Sequence, residues 1–481
     1  MKIPLRATLA TATAVALTGG LLTLATAAPA GAAPAKYADD FNGDGYHDLV
    51  TSAPTATVGG ATYAGAVVVN YGSASGIKAS RRTVLTQNTS GIPGTAENND
   101  YFGSALASGD LNNDGYADLV IGAHGEKVGD DANGGTAVIV WGGANGLSGG
   151  RTVPDPAPTA HDEFGQSLAV GDFSGDGKAD LAVGSNGNDV WIHKGGFTKA
   201  SGAASKYKVT ATVRANVAGG GASSLASGDV NGDGTDDLTV SGIYTGESTA
   251  YFGTLVYLGS SSGLAYQGVL KEESRHATIG DINADGYDDI VTSDLGDTVG
   301  HLGGSVSTHL GGSTGVDAEP TQTLGQDTPG VPGTDESGDL FGRAVSLGDI
   351  DGDGYADAAV SAVYEEIGTI DNTGTVTVLR GTPTGLSASG SQLFSQNTAG
   401  VPGYAEAYDY FGSAVSLTDL NGDGHADLSI GASGENSGDG ALWSLRGATS
   451  GITTTNAVSF GPSAAGVSTS GYPSFGWQML R

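Results

Sequence analysis

The sequence predicts an all-β fold, a seven-bladed β-propeller of four-stranded antiparallel blades, and three observations support this prediction. A nine-residue aspartate-rich motif occurs seven times, at intervals between 52 residues (Asp229 to Asp281) and 70 residues (Asp40 to Asp110). Short strand-like segments surround the copies of this motif in the same order. Glycine accounts for 83 of the 481 residues and charged residues for 15%, a composition that favours short strands and tight turns over helices.

The repeated motif follows the pattern D-x-[N/D/S]-x-D-G-x-x-D, and its residue types predict a calcium-binding loop. Calcium takes six to eight oxygen ligands at about 2.3–2.6 Å from a flexible loop. Positions 1, 3, 5 and 9 offer side-chain oxygens, position 7 offers its backbone carbonyl, and glycine at position 6 permits the sharp turn. The motif is not an EF-hand, because that loop requires glutamate at position 12 and flanking helices. Thr51 and Ile121 stand at position 12 in the first two copies, and strand-like residues follow position 9.

Each copy supplies five expected ligands, so the sequence predicts about seven structural Ca²⁺ ions. An alternative is that some copies are ordinary Asp/Asn/Gly turns, above all the third, with Ser174 at position 3, and the fifth, with Ala284 where glycine is usual. The expected ligands are Asp40, Asn42, Asp44, Tyr46 and Asp48; Asp110, Asn112, Asp114, Tyr116 and Asp118; Asp172, Ser174, Asp176, Lys178 and Asp180; Asp229, Asn231, Asp233, Thr235 and Asp237; Asp281, Asn283, Asp285, Tyr287 and Asp289; Asp349, Asp351, Asp353, Tyr355 and Asp357; Asp419, Asn421, Asp423, His425 and Asp427.

The net charge of −32, from 52 acidic and 20 basic residues, excludes two classes of partner. An acidic surface repels nucleic-acid phosphates and anionic membranes, so neither is expected to bind. Three aspartates in each loop and Asp351 account for 22 of the carboxylates, and seven Ca²⁺ ions would cancel 14 of the negative charges. Cysteine is absent, so stability is expected from a large core, from metal, or from both.

The segments around each loop predict one four-stranded blade. In the second copy, residues 102–107 lead into the loop, 119–123 and 136–141 follow it, and a glycine-rich turn precedes a fourth short strand. The first copy lacks the strand before its loop, whereas residues 474–480 form such a strand with no loop after it. We expect the two chain ends to share one blade, because pairing them closes the ring and removes exposed strand edges.

Two dipeptides recur in the strands around the loops. A Phe-Gly pair stands at Phe102-Gly103, Phe164-Gly165, Phe341-Gly342 and Phe411-Gly412, and a Gly-Ala pair at Gly122-Ala123 and Gly431-Ala432. These segments resemble the FG-GAP repeats of the integrin α-subunit propeller and of its secreted bacterial relatives. The resemblance covers the chain from about residue 37 to its end and implies an integrin-like propeller. Copies four and five depart from the pattern, with Gly221-Ala222 and His276-Ala277 where Phe-Gly is expected.

The first 35 residues predict a secretory signal peptide with a short Ala/Pro-rich leader. Lys2 and Arg6 precede an Ala/Leu/Thr/Val run that ends in small residues suited to cleavage. A retained membrane anchor is the alternative, although threonine and glycine make the run weakly hydrophobic for a membrane span. Residues 37–481 then form the propeller, and we expect a secreted, extracellular monomer that does not insert into membranes after signal cleavage.

The sequence offers no catalytic motif in the setting that it requires, so we predict a binding protein and no catalytic residue. Residues 259–263 and 311–315 match G-x-S-x-G, but that motif needs a strand-turn-helix setting, and both lie in turns between strands. Tyrosines and acids in the connections opposite the calcium loops suit a glycan or an extracellular protein as ligand. The alternative is a secreted hydrolase or lyase acting on polysaccharide or lipid. The expected ligand-binding residues are Tyr101, Tyr364, Glu365, Tyr404 and Tyr408.

Overall fold

The computed structural model describes residues 35–271, 273–297 and 301–480, and within them it is a β-propeller of seven antiparallel sheets. The predicted fold class and blade number are confirmed. The predicted signal and leader at 1–35 lie outside the described residues except for Ala35, and they stay a prediction. None of the helices in the described part of the chain is long and apolar enough to span a bilayer.

The strands of each blade follow one another from the central axis outward. The first strands of consecutive blades contact one another and line a central cavity. The elements are, in blade 1, β1 (Leu49–Ala53), β2 (Ala66–Asn70) and β3 (Arg82–Leu85); in blade 2, β4 (Ala105–Gly109), β5 (Asp118–Ala123), β6 (Thr136–Trp141) and β7 (Ser148–Val153); in blade 3, β8 (Ser167–Gly171), β9 (Asp180–Gly184), β10 (Asp189–Lys194) and β11 (Ser205–Thr210); in blade 4, β12 (Ser224–Gly228), β13 (Asp237–Tyr244), β14 (Tyr251–Leu258) and β15 (Ala265–Val269); in blade 5, β16 (His276–Gly280), β17 (Asp289–Asp294), β18 (Ser305–His309) and β19 (Gln322–Leu324); in blade 6, β20 (Phe341–Gly348), β21 (Asp357–Ala362), β22 (Thr375–Arg380) and β23 (Ser387–Phe394); and in blade 7, β24 (Phe411–Thr418), β25 (Asp427–Ala432), β26 (Ala441–Arg446) and β27 (Thr453–Phe460), with two one-turn helices, α1 (Glu435–Gly438) and α2 (Pro462–Ala465).

The middle strands of blade 2 are buried on both faces, which explains their largely apolar sequences. In blade 2, β5 and β6 are buried along their whole length, whereas the outer strand β7 is partly exposed. The Phe-Gly phenylalanine joins neighbouring blades, because Phe102 is buried in one cluster with Phe41 and Val67 of blade 1 and Leu119 of blade 2. Such burial of large apolar side chains between sheets is what holds one blade to the next.

Contacts between the two chain ends are consistent with the predicted shared blade. Ser52 N donates to Gln478 O at 2.8 Å, and Gly476 N donates to Ser52 O at 3.1 Å. Leu480 N also donates to Val50 O at 3.2 Å. Residues 476–480 therefore lie along the inner edge of β1, where the other six blades have their first strand.

The Phe-Gly equivalents in blades 4 and 5 differ from the sequence-based alignment. In blade 2, Gly103 N donates to Gly122 O, four residues after the last loop aspartate, and Ser223 and Arg275 make the same bond in blades 4 and 5. Ala222-Ser223 and Ser274-Arg275 thus replace Phe-Gly, and the alignments at Gly221-Ala222 and His276-Ala277 are wrong. The physical reason is an inner-strand entry that is one residue shorter. The phenylalanine stands eight residues before the first loop aspartate in the blades with Phe-Gly, as from Phe102 to Asp110, whereas Ala222 and Ser274 stand seven residues before Asp229 and Asp281.

Candidate metal centres and the opposite face

The seven aspartate-rich loops share one backbone hydrogen-bond frame. In the first, the two Asp40 carboxylate oxygens accept from Asp44 N at 3.2 Å and Gly45 N at 2.9 Å. The first aspartate makes this pair of bonds in all seven loops, at 2.7–3.2 Å. A third hydrogen bond also recurs in every loop. The position 5 aspartate, Asp44 in the first loop, accepts through Oδ1 from the backbone amide of position 7. The loops therefore have one geometry and not merely one pattern.

The apolar residue at position 2 anchors each loop to the core, as the sequence indicated. All seven of these side chains are buried. Positions 4 and 6 have positive φ in every loop, which explains the frequency of glycine there. Ala284, at position 4 of the fifth loop, adopts φ 57° without being glycine. The anchored residues are Phe41, Leu111, Phe173, Val230, Ile282, Ile350 and Leu420.

The aspartate at position 9 has a structural contact that the sequence did not indicate. In each blade, one of its oxygens accepts from the amide of the glycine that follows the third strand, as Gly72 N does to Asp48 Oδ1 at 2.9 Å. The position 9 carboxylates are buried. Burial is the main cause that raises the pKa of Asp48 to about 8 and that of Asp118 to about 7, and the neighbouring loop aspartates raise both pKa values further.

Three observations indicate that the loops are suited to hold a divalent cation. Buried like-charged carboxylates are unfavourable without a compensating charge. Asn112 Oδ1 and Asp180 Oδ2 are buried and have no hydrogen-bond partner in the described part of the chain. Oxygens of Asp349, Asp351 and Asp353 all lie within 4.8 Å of one another. Because a carboxylate oxygen that accepts one N–H keeps a second lone pair, the hydrogen-bond frame leaves room for ion ligation. When bound, calcium would neutralise the loop and brace the turn.

The position 7 side chains contact the loop of the preceding blade, although the sequence indicated only that these side chains vary. The ring of Tyr116 lies directly against Gly43, and Tyr287 lies against Gly232 in the same way. His425 packs on Gly352 and places Nδ1 3.2 Å from Ile350 O. A spacing pattern shows which oxygens converge but not the packing between repeats, so this role was missed.

The expected ligand-binding tyrosines lie at the opposite end of the inner strands from the loops. Tyr364, Tyr404 and Tyr408 are 42%, 83% and 52% exposed. Tyr410 connects two of them, with ring centroids 5.5 Å from Tyr364 and 6.3 Å from Tyr408. Tyr101 is half-buried and stacks on His124 at 5.0 Å in a different blade. The structure thus brings Tyr364 and Tyr408 into one aromatic cluster and leaves Tyr101 apart from it.

Glu365 is only 8% exposed, so the structure does not bring it to the surface with the tyrosines. Its carboxylate accepts a hydrogen bond from Gln326 Nε2 at 2.6 Å. The same pair recurs as Gln87 with Glu126 at 2.6 Å and as Gln396 with Glu435 at 2.5 Å. Burial, followed by nearby carboxylates, raises the pKa of Glu365 to about 7. These glutamates belong to the packing beneath the connections.

Three residues at this end of the ring were missed by the sequence analysis. Arg343 follows the Phe341-Gly342 pair, at the place of Ser104 in blade 2, and Arg275 takes the place of a Phe-Gly glycine. Trp477 lines the central cavity with Arg343 and is 47% exposed. The available signal was the bulk and charge of the residue after Phe-Gly, which in other blades is small or neutral.

A closed ring of four-stranded blades with an aspartate loop at the end of each inner strand defines a repeat β-propeller, and comparison with known proteins supports this class. The FG-GAP repeat model matches five stretches, which fall in the blades other than 4 and 5. Blades 4 and 5 are the two in which Phe-Gly is replaced. The matched residues are 37–69, 102–141, 164–204, 341–379 and 411–445.

Curated relatives include integrin alpha chains and a phospholipase D. Integrin alpha-PS5 of Drosophila melanogaster is 34% identical over 33% of this chain and 15% of its own length. Integrin alpha-5 of Xenopus laevis is 29% identical over 50% of this chain and 23% of its own length. Phosphatidylinositol-glycan-specific phospholipase D of Mus musculus is 33% identical over 30% of this chain and 17% of its own length. The chain thus spans less than a quarter of each relative, and its FG-GAP repeats form a propeller that is similar to that of the integrin α-subunits.

Proposed function

We propose that this protein is a secreted, calcium-binding recognition module that binds a glycan or an extracellular protein on the face opposite its calcium loops. The supporting observation is the aromatic cluster of Tyr364, Tyr408 and Tyr410, which is exposed on a rigid scaffold. Aromatic side chains offer large contact areas at low entropic cost and are enriched in binding sites. The similarity to integrin α-subunits supports an adhesive role.

In this proposal, bound calcium fixes the positions of neighbouring blades relative to each other. The loops join consecutive blades, because Ala117 N donates to Asp40 O and Gly143 N donates to Phe41 O, both at 3.1 Å. An ion held by Asp40, Asp44 and their loop neighbours would therefore rigidify a point where two blades meet. Rigid blades in turn hold the connections at the other end of the inner strands in fixed positions.

A second candidate function is a hydrolase or lyase that acts on polysaccharide or lipid, which the similarity to phosphatidylinositol-glycan-specific phospholipase D favours. The G-x-S-x-G stretches do not support it. Ser261, the serine of the first stretch, lies in the turn between β14 and β15 that its neighbour Ser260 closes, since Ser260 Oγ donates to Gly263 O at 2.8 Å. Ser73 and Thr382 make the same bond in blades 1 and 6, at 2.7 Å. The serines are thus turn residues between two strands.

One experiment distinguishes the two candidates. The calcium-loaded protein is passed over immobilised polysaccharides and extracellular proteins, and both retention and release of cleavage products are measured. We expect retention without cleavage, reduced about tenfold or more in affinity by Tyr364→Ala with Tyr408→Ala. Tyr266→Ala is the matched control, since Tyr266 is equally exposed but lies on the outer strand β15. Cleavage products would favour the enzyme, and retention unchanged in the double variant would remove the tyrosine site.

A further inference from the structure

Two arginines occupy neighbouring positions where the inner strands of blades 5 and 6 begin. Arg343 lies two residues into β20, and Arg275 immediately precedes β16. From Arg343 to the loop at Asp349 the strand runs six residues, or about 20 Å at the usual rise, so Arg343 lies at the mouth of the central cavity farthest from the aspartate-rich loops. Arg275 lies beside it in an adjoining hollow. The cavity has a volume of about 460 Å³, and Arg343, Trp477, Gln166 and several serines line it.

Neither guanidinium forms an ion pair with a carboxylate among the described residues. Arg81, Arg380 and Arg446 behave differently, since each pairs with an aspartate of a calcium loop. Burial lowers the pKa of Arg343, and the adjacent positive charge of Arg275 lowers it further. A half-buried cation beside a like charge is unfavourable unless an anion joins them. In a chain with a net charge of −32, such an unpaired cationic pair is unusual.

The surroundings fix the orientation of the pair. The Arg275 guanidinium carbon lies 3.6 Å from the centre of the Phe252 ring, a cation–π contact that holds the plane of the group. Phe252, Leu340 and both arginines line a hollow of about 260 Å³. Glu273 and Asp294 also line this hollow, and the Asp294 residue already has an interaction partner. Because like charges repel, an anionic ligand in this hollow would have to contact the guanidinium groups and avoid these two acids.

The cationic pair adjoins the aromatic cluster. Tyr364 N donates to Asp339 O at 3.0 Å, and the next residue, Leu340, lines the hollow with both arginines. The Tyr364 and Tyr410 ring centroids are 5.5 Å apart. Guanidinium groups bind carboxylates through paired charge-assisted hydrogen bonds, while exposed aromatic faces stack on flat apolar surfaces such as those of sugar rings. A ligand that carries both features is a sugar polymer with carboxylate groups.

We propose that Arg343 and Arg275 bind a carboxylate of an acidic polysaccharide at the axial mouth, with the adjacent sugar rings on Tyr364 and Tyr408. This inference rests on the proposed recognition function and specifies the charge of the ligand. It also assigns the anchor residues, which lie outside the set that the sequence indicated.

The test is calorimetric titration of the calcium-loaded protein with short oligogalacturonates and with their methyl esters, which have the same rings without the charge. We expect the ester to bind at least about tenfold more weakly, as for loss of a charge-assisted hydrogen bond. Arg343→Gln should raise the Kd for the acid about tenfold or more, and Arg343→Lys should rescue part of the loss because it keeps the charge without the planar fork. Lys206→Gln is the control, since Lys206 is exposed on the outer strand β11 and should change the Kd less than about twofold.

Each other outcome overturns a defined part of the inference. Equal binding of acid and ester, or a normal Kd for Arg343→Gln, would remove the carboxylate site, and neutral glycans still retained through the tyrosines would leave the proposed function standing. Binding of oligoglutamate but not of oligogalacturonate would replace the sugar by an acidic peptide. Retention of no glycan or protein at all would contradict the proposed function itself. Melting curves with calcium confirm that each variant is folded.

Discussion

The two ends of the inner strands differ in how strictly they repeat. At the calcium-loop end, the same three hydrogen bonds per loop recur in all seven blades, and the first aspartate makes its pair at 2.7–3.2 Å throughout. At the other end, the residue in the same place is Ser104, Gln166, Arg343 or Ser413. In the proposed function, this difference corresponds to a division of labour, in which the repeated end serves folding and metal binding and the variable end serves recognition.

Removal of calcium should have the largest effect, because it acts on all seven copies of the repeated end. An ion present at 100 times its Kd stabilises the folded state by about 2.7 kcal/mol per site. We expect EDTA to lower the melting temperature by roughly 10 °C or more, and added Ca²⁺ to restore it. Calcium-saturated EDTA is the control, and calorimetry is the measurement. An unchanged melting temperature would show that the repeated end is a hydrogen-bonded turn without a metal function.

Phe411→Ala tests whether the blades fold as one unit. Phe411 is completely buried in the cluster between blades 6 and 7 and packs on Trp443 with ring centroids 5.3 Å apart. We expect a loss of about 3–5 kcal/mol in the free energy of unfolding, measured by urea denaturation. Phe411→Leu, which leaves a smaller cavity, should lose less. A loss below about 1 kcal/mol would mean that the blades are held together chiefly at their loops.

Glu365→Gln tests the packing beneath the variable end through its pH dependence. Burial raises the pKa of Glu365 from its ordinary value of 4.5 to about 7. Between pH 4.5 and 7, the folded protein therefore keeps this carboxyl protonated, whereas the unfolded chain loses the proton. The group therefore costs no stability below about pH 4.5, its cost grows as the pH rises from 4.5 to 7, and the full cost is present above 7. Glutamine keeps an acceptor for Gln326 without the charge. We expect the variant to be more stable than the wild type by about 1–3 kcal/mol at pH 8, with no difference near pH 4.5.

The matched control for that prediction is Glu366→Gln, because Glu366 is the exposed neighbour of the buried Glu365. Its stability difference from the wild type should be small at both pH values. An equal gain in the two variants would attribute the effect to net charge and not to burial.

Ala284→Gly should have the smallest effect and the opposite sign to most substitutions. Ala284 stands at φ 57°, where glycine avoids the steric cost of a side chain. We expect the free energy of unfolding to increase by about 0.5–1 kcal/mol in the presence of calcium, measured by urea denaturation. Asn113 occupies the same position in loop 2 at φ 53°, and Asn113→Gly should gain less because asparagine tolerates this conformation. Destabilisation by Ala284→Gly would indicate that the fifth loop departs from the common frame.

The fold could be predicted from the sequence because the repeats supply the same information several times. Seven loop motifs, the Phe-Gly pairs and the split between the chain ends each indicate the same closed ring, and the residues at loop positions 1 and 5 share one geometry. The alignment was wrong by one or two residues in blades 4 and 5, where Ala222 and Ser274 occupy the phenylalanine place. Once the aromatic residue is lost, the sequence retains nothing that marks the shorter strand entry.

The variable end was predicted less well, since its side chains come from segments far apart in the chain. Tyr364 and Tyr408 do meet around Tyr410, but Glu365, next to Tyr364 in sequence, points into the protein. Arg275 and Arg343 are 68 residues apart and become neighbours only when blades 5 and 6 are placed side by side. Single-sequence patterns carry the period of a repeat, whereas contacts between non-repeating residues depend on the tertiary structure.

The bond between Ser52 N and Gln478 O has a consequence for how the molecule is made. The inner edge of β1 lies open during synthesis until more than 420 residues have followed it, and contacts of such long range form slowly. An unpaired strand edge attracts other chains. The ring is therefore expected to become protected against aggregation only as its last few residues dock, and a stop codon placed just before residue 476 should yield insoluble protein although every calcium loop is present.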